Sequence, residues 1–366
     1  MATFVERVAE LKRIGRKACV DAFFVNSETN MRYFAGFSVS GMERFAGIVI
    51  PVDGKTSTVI VPKLEEQKVK EQSVFKEITS YDDSESPARL LRRTIADAEL
   101  EDAVFGVEGI LPFRFYRMLA ECSPKIRVKE VSAIFSQLRC VKSQDELKKM
   151  EKAATILALG IKAGIDFIKP GVTEAAISFE IEKTIRERGG EGVPFCIVLS
   201  GSNSAMPHGN TSSRKVKQRD VVLMDVGAVY EGYNADITRT VFVREVTKKQ
   251  KEVYDTVAKA QEAAIKTVRP NVKAEQVDAI ARKAIENAGY GNFFTHRTGH
   301  GLGLEVHEEP YIAKGNKTPL RPGMTFTIEP GIYLPGEFGV RTEDDVVVSA
   351  KGARLLSNLS RELQVI

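Results

Sequence analysis

At 366 residues the chain is long for one compact core, so two domains are expected. Apolar residues make up 43% and charged residues 28%, and the formal net charge is +4, with Lys and Arg interleaved among Asp and Glu. This is the balance of an ordinary globular protein, with no basic stripe for nucleic acid and no run near the roughly 18 apolar residues of a membrane span.

The N-terminus, MATFVERVAELKRIGRKACV, lacks the unbroken apolar stretch of a signal peptide. Its periodicity predicts an amphipathic helix with Phe4, Val5, Val8, Leu11 and Ile14 on one face. AFFVNS, FAGIVIPV and STVIVP then predict buried strands, Glu65–Gln72 and Pro87–Ala98 helices, and AVFGVEG another short strand. This alternation predicts a small α/β domain over residues 1–138. No glycine-rich phosphate loop follows these strands, so no nucleotide site is expected there.

A boundary is expected near Arg139–Ser143, where Ser143 and Glu146 form a capping-box pattern opening a long helix through Gly164. Thr173 starts a second helix toward Arg188, and Glu252–Val268 and Ala274–Ala288 predict two more. Antiparallel hairpins lie between and after them, so residues 139–366 are expected to form an α+β domain. No repeat of fixed period is found. The four cysteines are scattered without a CxxC pair, which predicts reduced, buried thiols and a cytoplasmic location.

Two of these hairpins carry paired acids. VVLMDVGAVYEGYNADITRTVFV holds Asp225 and Asp236 at equal distances from a turn near Tyr230–Glu231. TFTIEPGIYLPGEFGVRTEDDVVV holds Glu329 and Glu343 at equal distances from Gly336. Opposed residues on antiparallel strands have Cβ atoms about 4.5–5.5 Å apart, and like charges there repel. Parity places Asp225 on one face with Leu223 and Gly227, and Asp236 on one face with Thr238 and Thr240. Thr325, Thr327 and Glu329 share a face, as do Arg341, Glu343 and Asp345. Acids and hydroxyls on such faces fit a polar site better than a core. Asp225, inside VVLMDVG, is hard to expose, and a buried carboxylate needs a partner or a metal.

His300 in TGHGLG lies between the two hairpins. Four carboxylates and a neutral imidazole carry the charge that two divalent ions would balance. An oxygen-rich set with one nitrogen suits Mn²⁺, Co²⁺, Fe²⁺ or Zn²⁺ and argues against a structural thiolate zinc site. The implied reaction class is metal-assisted hydrolysis. The chain has four histidines, and the other three, His208, His296 and His307, are candidates to donate protons or hydrogen bonds to a carbonyl or oxyanion.

Taken together, MPHG, MDVG, ADITRT, HRTGHGLGLEVHEEP, TIEPGIY and VRTED, in that order, resemble the pita-bread metallopeptidases, in particular their proline-peptidase branch of Xaa-Pro dipeptidases and Xaa-Pro aminopeptidases. The resemblance covers the chain from about residue 140 to its end, and more loosely the smaller N-terminal domain of that family. It implies a pita-bread catalytic domain over 139–366 behind a creatinase-like domain over 1–138. It also implies two divalent ions, with Mn²⁺ or Co²⁺ ahead of Zn²⁺ or Fe²⁺. Asp225 would hold the first ion, His300 and Glu329 the second, and Asp236 and Glu343 both. A hydroxide bridging the metals would attack, with Glu329 taking the proton of the water. His208 and His307 match residues that steady the scissile carbonyl, His296 a residue lining the substrate side, and Arg341 an arginine supporting site or substrate. A homodimer and an Xaa-Pro dipeptide or short peptide substrate are also implied.

One position departs from part of the family. Some short prolidases carry an arginine, four residues after the second motif histidine, that binds the free carboxylate of a dipeptide; here Tyr311 stands there. Lys314, Lys317 or Arg321 would have to serve instead. The expected function is Xaa-Pro dipeptidase, with Xaa-Pro aminopeptidase as the alternative toward which Tyr311 counts. A non-metal amidinohydrolase of the same fold, or a peptide-binding module on an inactive scaffold, would lose several ligand positions, whereas all five are filled here.

Overall fold

The first helix is started by its own sequence: the Thr3 side chain accepts from the Glu6 N–H, and the Glu6 carboxylate accepts from the Thr3 N–H. The computed structural model describes residues 3–40 and 43–366, and the chain divides between Arg139 and Cys140 into two units.

The N-terminal unit begins α1 (Phe4–Lys17), β1 (Ala22–Val25), α2 (Glu28–Ala35), β2 (Gly47–Pro51) and β3 (Thr58–Pro62). It continues α3 (Lys63–Gln72), β4 (Glu77–Tyr81), α4 (Pro87–Asp97), β5 (Val104–Val107), α5 (Phe113–Ala120) and β6 (Arg127–Glu130), before α6 (Ser132–Cys140). The six strands form one mixed sheet in the order β4-β3-β2-β1-β5-β6. β1 and β2 are buried along their whole length, as strands covered on both faces should be, and Phe24, Phe45, Phe105 and Phe115 fill the core on one side. α1 buries Leu11 and Gly15, whereas Val5 is 74% exposed. The buried stripe runs Phe4, Val8, Leu11, Gly15, and Val5 lies a quarter-turn away from it. The four thiols are free, but only Cys140 is fully buried and Cys19 is exposed.

In the C-terminal unit the Ser143–Glu146 capping box opens α7 (Gln144–Phe167), which is followed by α8 (Glu174–Glu187) and β7 (Cys196–Ser200). β8 (Val221–Tyr230) and β9 (Tyr233–Phe242) complete a three-stranded antiparallel sheet with β7. α9 (Lys248–Thr267) and α10 (Ala274–Asn287) come next; α9 starts before the expected Glu252 because Thr247 and Gln250 form a capping box. The remaining strands are β10 (Gly299–Gly301), β11 (Glu308–Ile312), β12 (Thr325–Ile328), β13 (Gly331–Leu334), β14 (Phe338–Arg341), β15 (Asp344–Ser349) and β16 (Gly352–Leu355). β10, β11, β12, β15 and β16 make a second sheet, ordered β11-β10-β12-β15-β16.

Each half is thus a helix pair backing an antiparallel sheet. The turn Pro170-Gly171-Val172 into α8 recurs as Pro270-Asn271-Val272 into α10, with positive φ at Gly171 (95°) and Asn271 (69°). Intervening strands of unequal length hide this duplication from a search at fixed period. α7 packs on β8 and β9, burying Leu157, Ile161, Met224, Val226 and Ile237 in the first half. α10 packs on β11, with Val277, Ile312, Phe326, Ile328 and Val346 in the core of the second. No helix among the described residues is long and apolar enough to cross a membrane.

Candidate metal centre

The β8–β9 hairpin turns on Glu231 and Gly232, both with positive φ (45° and 78°), the two-residue geometry that matches strand twist. Tyr230 therefore pairs with Tyr233, Asp225 with Thr238, and Gly227 with Asp236. This corrects the expectation of directly opposed acids. The turn is centred one position later than sequence symmetry suggests, so Asp225 and Asp236 lie diagonally on one face. In the second hairpin Ile328 pairs with Asp344 and Gly331 with Arg341. One further step from Ile328–Asp344 sets Glu329 against Glu343, at the break between the two paired stretches, as expected.

His300 sits between two glycines because nothing larger fits there. A Cβ on Gly299 would lie 1.9 Å from the Thr327 carbonyl oxygen, and one on Gly301 would lie 2.4 Å from that of Glu309. Gly299→Ala should therefore push β10 away from β12, costing about 1–3 kcal/mol by overpacking and displacing His300. A fall in thermal midpoint with loss of metal affinity, measured together, checks this.

His300 is held in place by two donated hydrogen bonds: its backbone N–H donates to Thr327 Oγ1 at 3.1 Å, and Nδ1–H donates to the Gly301 carbonyl at 3.1 Å. Nε2 is then the bare nitrogen, 3.7 Å from Asp236 Oδ2 and 3.5 Å from Glu329 Oε1. Burial, with His307 beside it, holds the ring's pKa down at about 3, so it is neutral at pH 7. A lone pair facing two carboxylates is unfavourable unless a cation lies between them. Locking of one ring nitrogen by a carbonyl while the other faces outward is what a metal-ligating histidine needs.

The acids show the same lack of balance. Burial first, and then neighbouring carboxylates, push Asp236 and Glu343 well above the carboxylate range, and burial pushes Glu329 up to about 7. Asp236 Oδ1 is buried and accepts no hydrogen bond from any described residue. Ligand atoms of Asp236, His300 and Glu343 all lie within 4.8 Å of one another. Buried charge of this kind calls for pairing or metal, and the donor set suits a borderline or hard divalent cation. The residues fit such an ion.

Around these five, further side chains fix their orientation. Thr238 Oγ1 lies 3.0 Å from Asp225 Oδ1 and 2.6 Å from Glu343 Oε2. Arg341 donates from Nε to Thr238 Oγ1 (3.1 Å), from Nη1 to the Tyr333 hydroxyl (2.7 Å), and from Nη2 to Asp225. His296 Nδ1–H donates to the Arg297 carbonyl at 2.7 Å, so its Nε2 accepts from Tyr333 OH at 2.9 Å. Burial holds His296 near a pKa of about 4, and it too is neutral. Asp225, Arg341, Tyr333 and His296 thus form one directional chain.

Three of the supporting residues have contacts that the sequence does not show. Asp345 Oδ2 accepts from the Asp236 N–H at 3.0 Å. Buried Arg239 donates to the carbonyls of Thr238 (2.9 Å) and Glu343 (2.6 Å) and pairs with Asp344 (2.7 Å). Tyr333 is the third. Only Asp345 left a usable signal, since it shares strand parity with Arg341 and Glu343.

All five expected ligands open on one cavity of about 490 Å³. His208, His296, His307 and Arg341 line it as well, with Arg297 and an apolar wall of Phe195, Ile197, Pro207 and Val306. The His307 ring meets that of His300 edge-on, 4.1 Å between centroids. Tyr311 does not line the cavity; its ring lies beneath the Arg297 guanidinium, 4.3 Å from centroid to Cζ. Lys314, Lys317 and Arg321 are exposed and lie outside the cavity.

Comparison with known proteins shows the family of both domains. Residues 148–350 match the model of metallopeptidase family M24, and residues 7–141 match the creatinase/prolidase N-terminal domain. An Xaa-Pro dipeptidase of Pyrococcus furiosus is 35% identical over 98% of this chain and 99% of its own length. The crystal structure of a prolidase from Thermococcus sibiricus superposes with a TM-score of 0.94 at 38% identity, covering 100% of this chain and 99% of that one. An X-Pro aminopeptidase from Thermotoga maritima gives 0.87 at 35% identity, over 97% of this chain and 100% of the other. Both domains, their order and the whole length are accounted for, and the pita-bread architecture preceded by a smaller α/β domain is that of these relatives. The chain is an enzyme of metallopeptidase family M24, whose members act with divalent metal ions.

Proposed function

We propose that this metallopeptidase hydrolyses Xaa-Pro peptide bonds with two divalent ions, acting first on Xaa-Pro dipeptides. The observation that carries the reading is the convergence of Asp225, Asp236, Glu329, Glu343 and neutral His300 on one cavity wall. Names borne by relatives of nearly equal length, Xaa-Pro dipeptidase and prolidase, support the substrate class.

In this reading Asp225, Asp236, His300, Glu329 and Glu343 would hold the two ions. Two such ions would supply a hydroxide at neutral pH and polarise the scissile carbonyl. Glu329, whose burial already raises its proton affinity, receives the proton of the attacking water. His208 and His307 stand on the cavity wall and donate hydrogen bonds to the carbonyl oxygen as negative charge develops there. Arg341 keeps Asp225 oriented. Phe195, Ile197, Pro207 and Val306 supply an apolar face for a pyrrolidine ring, whose amide nitrogen carries no proton for a binding site to recognise.

A second reading, Xaa-Pro aminopeptidase on longer peptides, is favoured by Tyr311 in place of an arginine and by the Thermotoga maritima relative. Rates on Ala-Pro and Ala-Pro-Ala, each with Mn²⁺ and with Co²⁺, separate the two. Cleavage of the dipeptide alone is expected; comparable tripeptide cleavage supports the aminopeptidase, and cleavage of neither defeats both.

A further inference from the structure

The side chain of Arg297 is half-buried and stacks on Tyr311, yet it makes no ion pair or hydrogen bond with any described residue. Its backbone carbonyl is spent on His296, which fixes the residue at the cavity wall. The other cavity arginine, Arg341, already donates from each of its three nitrogens, to Thr238, Tyr333 and Asp225. Arg297 is therefore the cation of this cavity with donors to spare. A guanidinium seated over the face of an aromatic ring spends no N–H hydrogen bond there, and its planar fork matches a carboxylate.

Substrate chemistry says where such a carboxylate must lie. In an Xaa-Pro dipeptide it is attached to the carbon next to the scissile nitrogen, so its receptor must share the cavity with the reacting groups. Lys314 opens on a different hollow beside Glu275 and Asp278, and Lys317 and Arg321 are exposed to solvent. Arg297 meets the requirement: it lines the same cavity as His300, His307 and Glu329.

We propose that Arg297, seated on Tyr311, receives the free carboxylate of the substrate's prolyl residue and so selects dipeptides. Tyr311 is then a positioning residue: it holds the guanidinium instead of contacting substrate. The proposal rests on the Xaa-Pro reading given above, and its test is arranged to fail separately from it.

With Mn²⁺-loaded enzyme, kcat/KM is measured for Ala-Pro and for Ala-Pro-amide, in which the carboxylate is neutralised. Wild type should prefer the free acid, and Arg297→Ala should lower the acid-to-amide ratio by about 10–100-fold, the effect of one charge-assisted contact, expressed mainly in KM. Arg297→Lys keeps the charge without the fork and should recover part of the ratio. Tyr311→Leu removes the stacking platform and should lower the ratio by a smaller factor. Calorimetric binding of proline against prolinamide provides a readout without turnover: Arg297→Ala should weaken proline and erase its advantage. A ratio within twofold of wild type in Arg297→Ala, or a wild type indifferent to the amide, overturns the proposal. If wild type cleaves no Xaa-Pro bond, the functional reading fails, and the calorimetry still decides the role of Arg297.

Discussion

Asp236→Asn is expected to abolish turnover while leaving the fold in place. Asp236 is 4% exposed, its own N–H is held by Asp345, and its Oδ2 looks toward His300 Nε2 across 3.7 Å. Asparagine has the same shape, so packing around β9 is unchanged. It removes one negative charge from a cluster of acids that already repel each other and places an amide N–H where an anionic ligand stood. Repulsion within the cluster falls, so the metal-free variant should be no less stable than wild type. Activity should fall by about three orders of magnitude or more, as expected when a charge aimed at the reacting centre is lost. Circular dichroism and thermal denaturation beside the rate assay check this. Loss of activity in step with loss of folding would instead make Asp236 a structural acid.

The second large effect concerns stability without metal. Glu329 is pushed by burial from 4.5 to about 7, and Asp236 and Glu343 move in the same direction. For a group whose pKa is higher folded than unfolded, the folded chain binds more protons between the two values. The stability it contributes is complete below about pH 4.5 and is lost as pH rises through about 7. Chelator-treated protein should therefore melt at progressively lower temperature from pH 5 toward pH 8. Divalent ions compete with protons for the same oxygens, so Mn²⁺ should raise the midpoint most at the alkaline end. A flat profile in the absence of metal, or a midpoint that ignores Mn²⁺, would contradict this.

Much of this centre could be read from the sequence because the proposed ligands lie on strands, as Asp225, Asp236 and His300 do, or one residue beyond a strand end, as Glu329 and Glu343 do. Period-two parity put Asp225, Asp236, Glu329 and Glu343 on polar faces, and the glycines around His300 marked a close approach. The register of the first hairpin was missed by one position, because symmetry about the acids does not locate the turn. Positive φ at both Glu231 and Gly232 does. Val5 was placed on the buried side of α1 because it is apolar and adjacent to Phe4, although the packed stripe leaves it exposed. The residues that steady the centre were hidden for a different reason. Arg239 reaches Glu343, and Asp345 reaches Asp236, across more than 100 positions of chain, and no local pattern records such pairings. Arg297 was likewise unremarkable within HRTGHG, since its meaning comes from the Tyr311 ring beneath it.

The central claim is that two metal ions, held by acids from both hairpins, carry out the hydrolysis. It is tested most directly by adding Mn²⁺ stepwise to chelator-treated enzyme while following bound metal and Ala-Pro cleavage in the same samples. The account predicts a rate near zero without metal that rises with occupancy and reaches its plateau only at about two ions per chain. Full activity with bound metal well below one ion per chain would contradict it.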